Sequence, residues 1–147
     1  MLRTMNVRIT RLDASVALPS YQTAGAAGFD LAASVEMTIA PGEVALVPTG
    51  LVMEIPAGHF LGVFARSSTP LKRGLMVANG VGIVDADYCG PKDEIKIQVY
   101  NFTAAAVTVN AGDRLAQGMI IQFQRADWHE TDAAAADVSR GGFGSTG

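Results

Sequence analysis

Apolar and polar residues alternate along this chain in many short stretches. Val7-Arg8-Ile9, Val35-Glu36-Met37-Thr38-Ile39 and Ile95-Lys96-Ile97-Gln98-Val99 repeat with a period of two or nearly so, the pattern of strands with one buried face. Val44-Ala45-Leu46-Val47 and Met119-Ile120-Ile121 are unbroken apolar runs and predict more fully buried strands. Turn chemistry separates these stretches at Ala40-Pro41-Gly42-Glu43, Val47-Pro48-Thr49-Gly50, Ile55-Pro56-Ala57-Gly58 and Asn110-Ala111-Gly112-Asp113. In such turns Pro presets φ, while Gly or Asn accepts a positive φ. Helical promise is confined to a turn or two between Ser67 and Arg73. The segment from Asp132 to Asp137 is alanine-rich but too short to be a stable helix unaided. Sixteen glycines and six prolines punctuate the 147 residues at intervals typical of an all-β sandwich or barrel.

No composition break divides the first 125 residues or so, and no internal repeat is present. The expected organisation is one β domain over residues 1–131 and a flexible C-terminal arm over residues 132–147. That last segment is small, polar and Gly-rich, with only Val138 and Phe143 able to contribute to a core. Composition alone favours a frayed tail. A phenylalanine framed by glycines, in Gly141-Gly142-Phe143-Gly144-Ser145-Thr146-Gly147, suits instead an arm that closes over something.

Charge narrows the function classes. Fourteen acidic residues against eleven Lys and Arg give a net charge of −3, which argues against a dedicated nucleic-acid binder. A single cysteine, Cys89, excludes a disulfide within the chain and fits a reducing compartment. Two histidines far apart, His59 and His129, make a Cys/His zinc site a poor fit. The opening MLRTMNVRIT lacks an apolar h-region, so no secretory signal is expected. No uncharged apolar run approaches the ~20 residues of a membrane helix. The expected setting is soluble and cytoplasmic, with no membrane partner.

Standard phosphate and nucleophile motifs are missing. There is no P-loop, no GxGxxG opening a helix after a strand, and no GxSxG elbow. Five clusters remain. In Ala24-Gly25-Ala26-Ala27-Gly28-Phe29-Asp30-Leu31 a lone Asp after a Gly-rich turn is ordinarily a turn cap. Ala65-Arg66-Ser67-Ser68-Thr69-Pro70-Leu71-Lys72 packs two cations and three hydroxyls around a helical start. Backbone N–H groups and an Arg fork there suit phosphate oxygens; a plain N-cap with surface charges is the alternative. In Asn79-Gly80-Val81-Gly82-Ile83-Val84-Asp85-Ala86-Asp87-Tyr88 the two acids would share a face if the chain is extended. Gly112-Asp113-Arg114-Leu115-Ala116-Gln117 reads by itself as a hairpin turn with a local Asp–Arg pair. The tail is the fifth.

Together the five clusters, in this order and spacing from Ala24 to Gly147, resemble the homotrimeric dUTP pyrophosphatase (dUTPase) family. The resemblance implies a jelly-roll-like β-sandwich or barrel, a homotrimer whose active sites are each shared by three chains, and a monomer that is inactive alone. It implies hydrolysis of dUTP to dUMP and pyrophosphate with Mg²⁺, lowering dUTP and supplying dUMP for thymidylate synthesis. Asp85 matches the acid that activates the attacking water and meets the 3′-hydroxyl. Tyr88 matches the ring under the deoxyribose, which would exclude a 2′-hydroxyl. Asn79, Gly82, Ile83, Val84 and Lys96 match residues that read the uracil edge. A site built for uracil leaves buried polar groups unpaired with cytosine, which can reject it by roughly 10⁴-fold. Arg66, Ser67, Ser68 and Gln117 match phosphate contacts. Asp30 matches the acid that holds magnesium-bound water, with no direct protein ligand expected, in keeping with the reluctance of Mg²⁺ to dehydrate. Phe143 would stack on uracil while Arg140, Gly144, Ser145 and Thr146 close over the γ-phosphate.

Two features depart from the family pattern. Arg140 stands three residues before Phe143, closer than in many members. The stretch Cys89-Gly90-Pro91-Lys92-Asp93-Glu94-Ile95 is longer than the family's commonest hairpin, with Cys89 where Arg is common. A dCTP deaminase shares the fold and an Arg-Ser-Ser element, but it lacks the full Gly-Phe-Gly-Ser-Thr-Gly arm. A non-catalytic nucleotide-binding jelly-roll module is the other alternative, opposed by the presence of Asp85.

Overall fold

The structure, a computed structural model, describes residues 4–144. Eleven strands and one short helix follow each other along the described chain: β1 (Arg8–Arg11), β2 (Phe29–Ala32), β3 (Met37–Ile39), β4 (Val44–Pro48), β5 (Leu51–Glu54), β6 (His59–Ala65), α1 (Ser68–Arg73), β7 (Leu75–Val77), β8 (Gly82–Val84), β9 (Lys96–Asn101), β10 (Val107–Val109) and β11 (Arg114–Gln122). All pairings are antiparallel. The larger sheets run β2-β11-β6-β8 and β4-β9-β7, with β1-β5 and β10-β3 as two-stranded partners. This is an all-β jelly roll.

The alternation explains the packing. In β9, Ile97 and Val99 point inward and are fully buried, while Lys96 between the turns stays exposed. Leu31, Leu61, Val63 and Leu115 from the four-stranded sheet pack in one core with Val47, Leu75, Ile97 and Val99 from the three-stranded sheet. Burying side chains of this size stabilises by about 1.5–3 kcal/mol each. The predicted turns carry left-handed glycines at Gly42, Gly50, Gly58 and Gly112. The helix occupies the predicted stretch and ends at Gly74, whose left-handed backbone donates its N–H to the Pro70 carbonyl at 3.3 Å.

Two expectations are corrected. Val44-Ala45-Leu46-Val47 is not buried throughout. Ala45 and Val47 face the core, whereas Val44 and Leu46 are each 53% exposed, because the outer face of the β4-β9-β7 sheet is uncovered in the single chain. Asp85-Ala86-Asp87-Tyr88 is not extended. β8 stops at Val84 and a tight turn follows, closed by the Tyr88 N–H on the Asp85 carbonyl at 3.2 Å. Among the described residues no helix is long and apolar enough to cross a membrane.

Candidate active site

A charged corner forms where β2, β11 and the end of β6 meet. Gln117 lies opposite Asp30 across the β2–β11 pairing. Ala65 lies opposite Ala116, so the chain leaving β6 delivers Arg66 and Ser67 to the same corner. Asp30 is held by two guanidinium groups, Arg66 Nε at 2.8 Å and Arg114 at 3.0 Å, and its side chain is only 12% exposed. Arg66 also donates to the Arg114 carbonyl at 3.0 Å. One carboxylate against two guanidiniums leaves a surplus positive charge, set in a region where water screens less than at the open surface. Gln117 donates to the Ala65 carbonyl at 2.9 Å. Its Oε1 lies over Gly28, where a Cβ would come within 2.8 Å, so Gly28 leaves the room that Gln117 occupies.

The turn carrying Ser67 and Ser68 is tied down from α1. Thr69 donates its hydroxyl to the Leu115 carbonyl at 2.9 Å, and Arg73 reaches Asp113 at 2.7 Å. Ser67 sits at the N-cap position with helical φ and ψ, yet its hydroxyl makes no capping hydrogen bond. The plain N-cap alternative is therefore not what the structure shows. Nor does the local Asp113–Arg114 pair form: Asp113 takes Arg73, and Arg114 takes Asp30. Burial pushes the Asp113 carboxyl up, but the Asn110 N–H and the Arg73 guanidinium outweigh it and hold it below its ordinary 3.8.

A second group of residues runs from the loop before β8, through β8 and the turn after it, to the first residue of β9. Asn79, Ile83, Asp85 and Lys96 are exposed, while Gly82 and Val84 are half-buried. β8 is the edge of its sheet, with Val84 opposite Leu61 and Gly82 opposite Val63 on β6. Tyr88 donates its hydroxyl to the Glu94 carbonyl at 3.1 Å.

Asp85 and Arg66 do not meet within the chain. Asp85 follows Val84, so it stands level with Phe60, six residues before Arg66. At ~3.3 Å per strand residue the separation along β6 is about 20 Å. The structure brings Asp30, Arg66, Ser67, Ser68 and Gln117 together, and separately holds Asn79, Gly82, Ile83, Val84, Asp85 and Tyr88 along and beside β8, while Lys96 lies on β9 opposite Pro48. Arg140, Phe143 and Gly144 are exposed. Ser145 and Thr146 lie outside the described residues. Sequence reasoning missed Arg114 as the second cation on Asp30. The available signal was its place three residues before Gln117, on the strand that had to border Asp30.

Among the described residues no group of three or more His, Cys, Asp or Glu is arranged to hold a metal ion. Asp30 has both oxygens engaged by guanidiniums, but each carboxylate oxygen keeps acceptor capacity for a further donor. This corner fits a hydrated cation reached through water and not one ligated directly.

Past β11 the chain is attached to the body at Phe123. The Phe123 N–H donates to the Gly58 carbonyl at 3.0 Å, and the Phe60 and Phe123 rings lie 6.2 Å apart. From residue 124 to 144 every residue is exposed.

Comparison with known proteins gives one consistent result. The family model described as dUTPase matches residues 14–147. The chain is 40% identical over 147 residues to the deoxyuridine 5′-triphosphate nucleotidohydrolase of Wolinella succinogenes, covering 99% of this chain and 97% of that protein. It is 43% identical to the protein of the same name from Desulfitobacterium hafniense, covering 97% and 95%. The crystal structure of dUTPase from Streptococcus mutans superposes with a TM-score of 0.76 at 36% identity, covering 84% of this chain and 100% of that one. A Staphylococcus bacteriophage 80alpha dUTPase with dUpNHpp gives a TM-score of 0.86 over 98% of this chain and 99% of that one at 21% identity, a likeness of fold.

Proposed function

The chain belongs to the dUTPase family, and from that premise we propose that it hydrolyses dUTP to dUMP and pyrophosphate, with Asp85 activating the attacking water. The observation that carries this reading is the corner of Asp30, Arg66 and Arg114, whose surplus positive charge suits a polyphosphate and not a bare cation. Arg66 is oriented before substrate arrives, since Asp30 and the Arg114 carbonyl fix its guanidinium. The Ser67 and Ser68 hydroxyls and Gln117 add donors at the same corner.

The reaction balances without a covalent intermediate. Asp85 accepts a proton from water as the water oxygen bonds to the α-phosphorus. The bond from that phosphorus to the α–β bridging oxygen breaks, and pyrophosphate leaves with the electron pair. Arg66 stabilises charge that develops on the phosphates. The chemistry a bound Mg²⁺ supplies is further neutralisation of the triphosphate, and Asp30 would hold it through water. Asn79, the backbone of Gly82 to Val84, and Lys96 read the uracil edge, and the Tyr88 ring fills the space beside C2′.

A homotrimer supplies what the chain lacks. Asp85 and Arg66 are about 20 Å apart along β6, so a site using both draws them from different copies. The uncovered outer face of β4-β9-β7, with Val44 and Leu46 each 53% and Met76 41% exposed, supports burial against another copy. The C-terminal arm, residues 132–147, would come from a further copy, with Phe143 over uracil and Arg140, Gly144, Ser145 and Thr146 at the γ-phosphate. Its exposure along the described residues supports that role. The single Cys89 supports a reducing, cytoplasmic setting. Pyrophosphate release measured side by side with dUTP, UTP, dCTP and dTTP tests the whole reading. Release from dUTP far above the other three is expected; ammonia release from dCTP without pyrophosphate would replace it.

A further inference from the structure

The ring of Tyr88 excludes a 2′-hydroxyl only if the ring cannot yield. A side chain that swings aside lets the larger sugar in and discriminates poorly. The described structure ties this ring at both ends. Its backbone N–H donates to the Asp85 carbonyl at 3.2 Å, and its hydroxyl donates to the Glu94 carbonyl at 3.1 Å.

Residue 94 is in turn anchored to a different part of the fold. The Glu94 carboxylate accepts the Gly50 N–H at 2.8 Å. Next to it the Ile95 N–H donates to the Leu51 carbonyl at 2.8 Å, and the Ile95 carbonyl accepts the buried Thr49 hydroxyl at 2.6 Å. Gly50 has φ +69°, and a Cβ there would strike Val16, so the N–H that Glu94 receives is held in a backbone geometry that favours glycine. The intervening loop is closed on itself: the Gly90 N–H donates to the Asp93 carboxylate at 2.7 Å, and the Asp93 N–H donates to the Gly90 carbonyl at 3.0 Å. The long Cys89–Glu94 segment is thus a clasp and not slack.

We propose that Glu94 is a positioning residue for sugar selection, clamping the Tyr88 ring through its carbonyl by anchoring its carboxylate on the β4–β5 turn. The proposal rests on the reading of Tyr88 as the residue beside C2′. A carboxylate accepting a backbone N–H is a charge-assisted bond, and its loss leaves the peptide that carries the phenol's acceptor held by the Ile95 N–H on the Leu51 carbonyl, with less to keep it in place.

The test compares kcat/KM for dUTP and UTP in the full-length protein. Glu94→Ala should lower the dUTP-to-UTP ratio by about tenfold, the size of one such lost bond, with the change arising from faster UTP hydrolysis. Glu94→Gln, which keeps an acceptor oxygen for Gly50, should hold the ratio within about twofold of the parent. Tyr88→Phe keeps the ring and removes its tether, so it should lower the ratio in the same direction. Combining it with Glu94→Ala should add little, since both act on one unit. An unchanged ratio in Glu94→Ala or in Tyr88→Phe overturns the proposal, as does an equal fall in Glu94→Gln. Absence of dUTP hydrolysis in the parent would instead overturn the reading on which it stands.

Discussion

The charged corner and the β8 edge solve opposite problems. In the corner every charged group already has its partner: Asp30 lies between Arg66 and Arg114 at 2.8 and 3.0 Å, and Arg73 lies on Asp113 at 2.7 Å. Along β8 and its flanking loops Asn79, Ile83 and Asp85 are exposed, as is Lys96 at the start of β9. A corner that must meet a polyanion gains from guanidiniums fixed in advance, because no reorganisation is left for the moment of binding. On the proposed reading, an edge that reads a base needs its polar groups open until the base and a neighbouring copy cover it. On that reading the same chain carries one finished half-site and one unfinished half-site, with Asp85 of the second about 20 Å from Arg66 of the first along β6.

The sharpest way to separate the two halves is through Asp85. Asp85→Asn should slow dUTP hydrolysis by roughly 10³-fold while dUTP still binds. Because Asp85 is exposed, the melting temperature should stay near the parent's. Near-normal turnover would remove Asp85 as the base. Removing residues 141–147 comes next, with activity falling by about 10²-fold and thermal stability unchanged within about 0.5 kcal/mol. A clear loss of stability with activity retained would make that segment structural.

Asp30→Asn breaks the comparison from the other side, by unfinishing the corner. Two guanidiniums would then face each other without their shared carboxylate. KM for dUTP should rise about tenfold, and unfolding should become easier by about 1–3 kcal/mol, read by kinetics and denaturant titration. A rise in KM with no loss of stability would show that Asp30 serves substrate alone and does not hold the corner.

How far the sequence carried this picture depends on what each feature needs. Periodicity of two located β1, β3 and β9, an apolar run located β4, and Pro and Gly marked four turns, because those signals are local. The helix start after Ser67 was legible for the same reason. β2 was not, because Asp30 inside it resembles a turn cap. A carboxylate is tolerated in that strand through Arg66 and Arg114, the latter 84 residues away, and no local pattern reports such a partner. Apolar runs cannot say whether a sheet's outer face is covered, so Val44 and Leu46 were read as buried. Asp85 and Asp87 were placed on one face by spacing, but the chain turns at Asp85. The roles of the site residues came from resemblance to the family. The separation of Asp85 from Arg66 required the register of β8 on β6.

The smallest effect concerns acid. Asp113 has its folded carboxyl held below the ordinary 3.8, through Asn110 and Arg73 against the opposing pull of burial. A depressed carboxyl contributes stability that is present above the unfolded value and is lost as pH falls through the folded one. Unfolding free energy followed from pH 5 downward should therefore fall less steeply in Asp113→Asn than in the parent. The difference should be below about 1 kcal/mol for a partly exposed pair. Identical profiles would mean that the pair does not contribute.

The central claim is that one copy's Asp85 works with another copy's Arg66. Asp85→Asn and Arg66→Ala, each inactive alone, should be unfolded together in equal amounts, refolded and assayed for pyrophosphate release from dUTP. A site shared between copies predicts that activity returns, to about a quarter of the parent's under random assembly of symmetric oligomers. A mixture as inactive as either variant would place both residues in one chain's site and contradict the account.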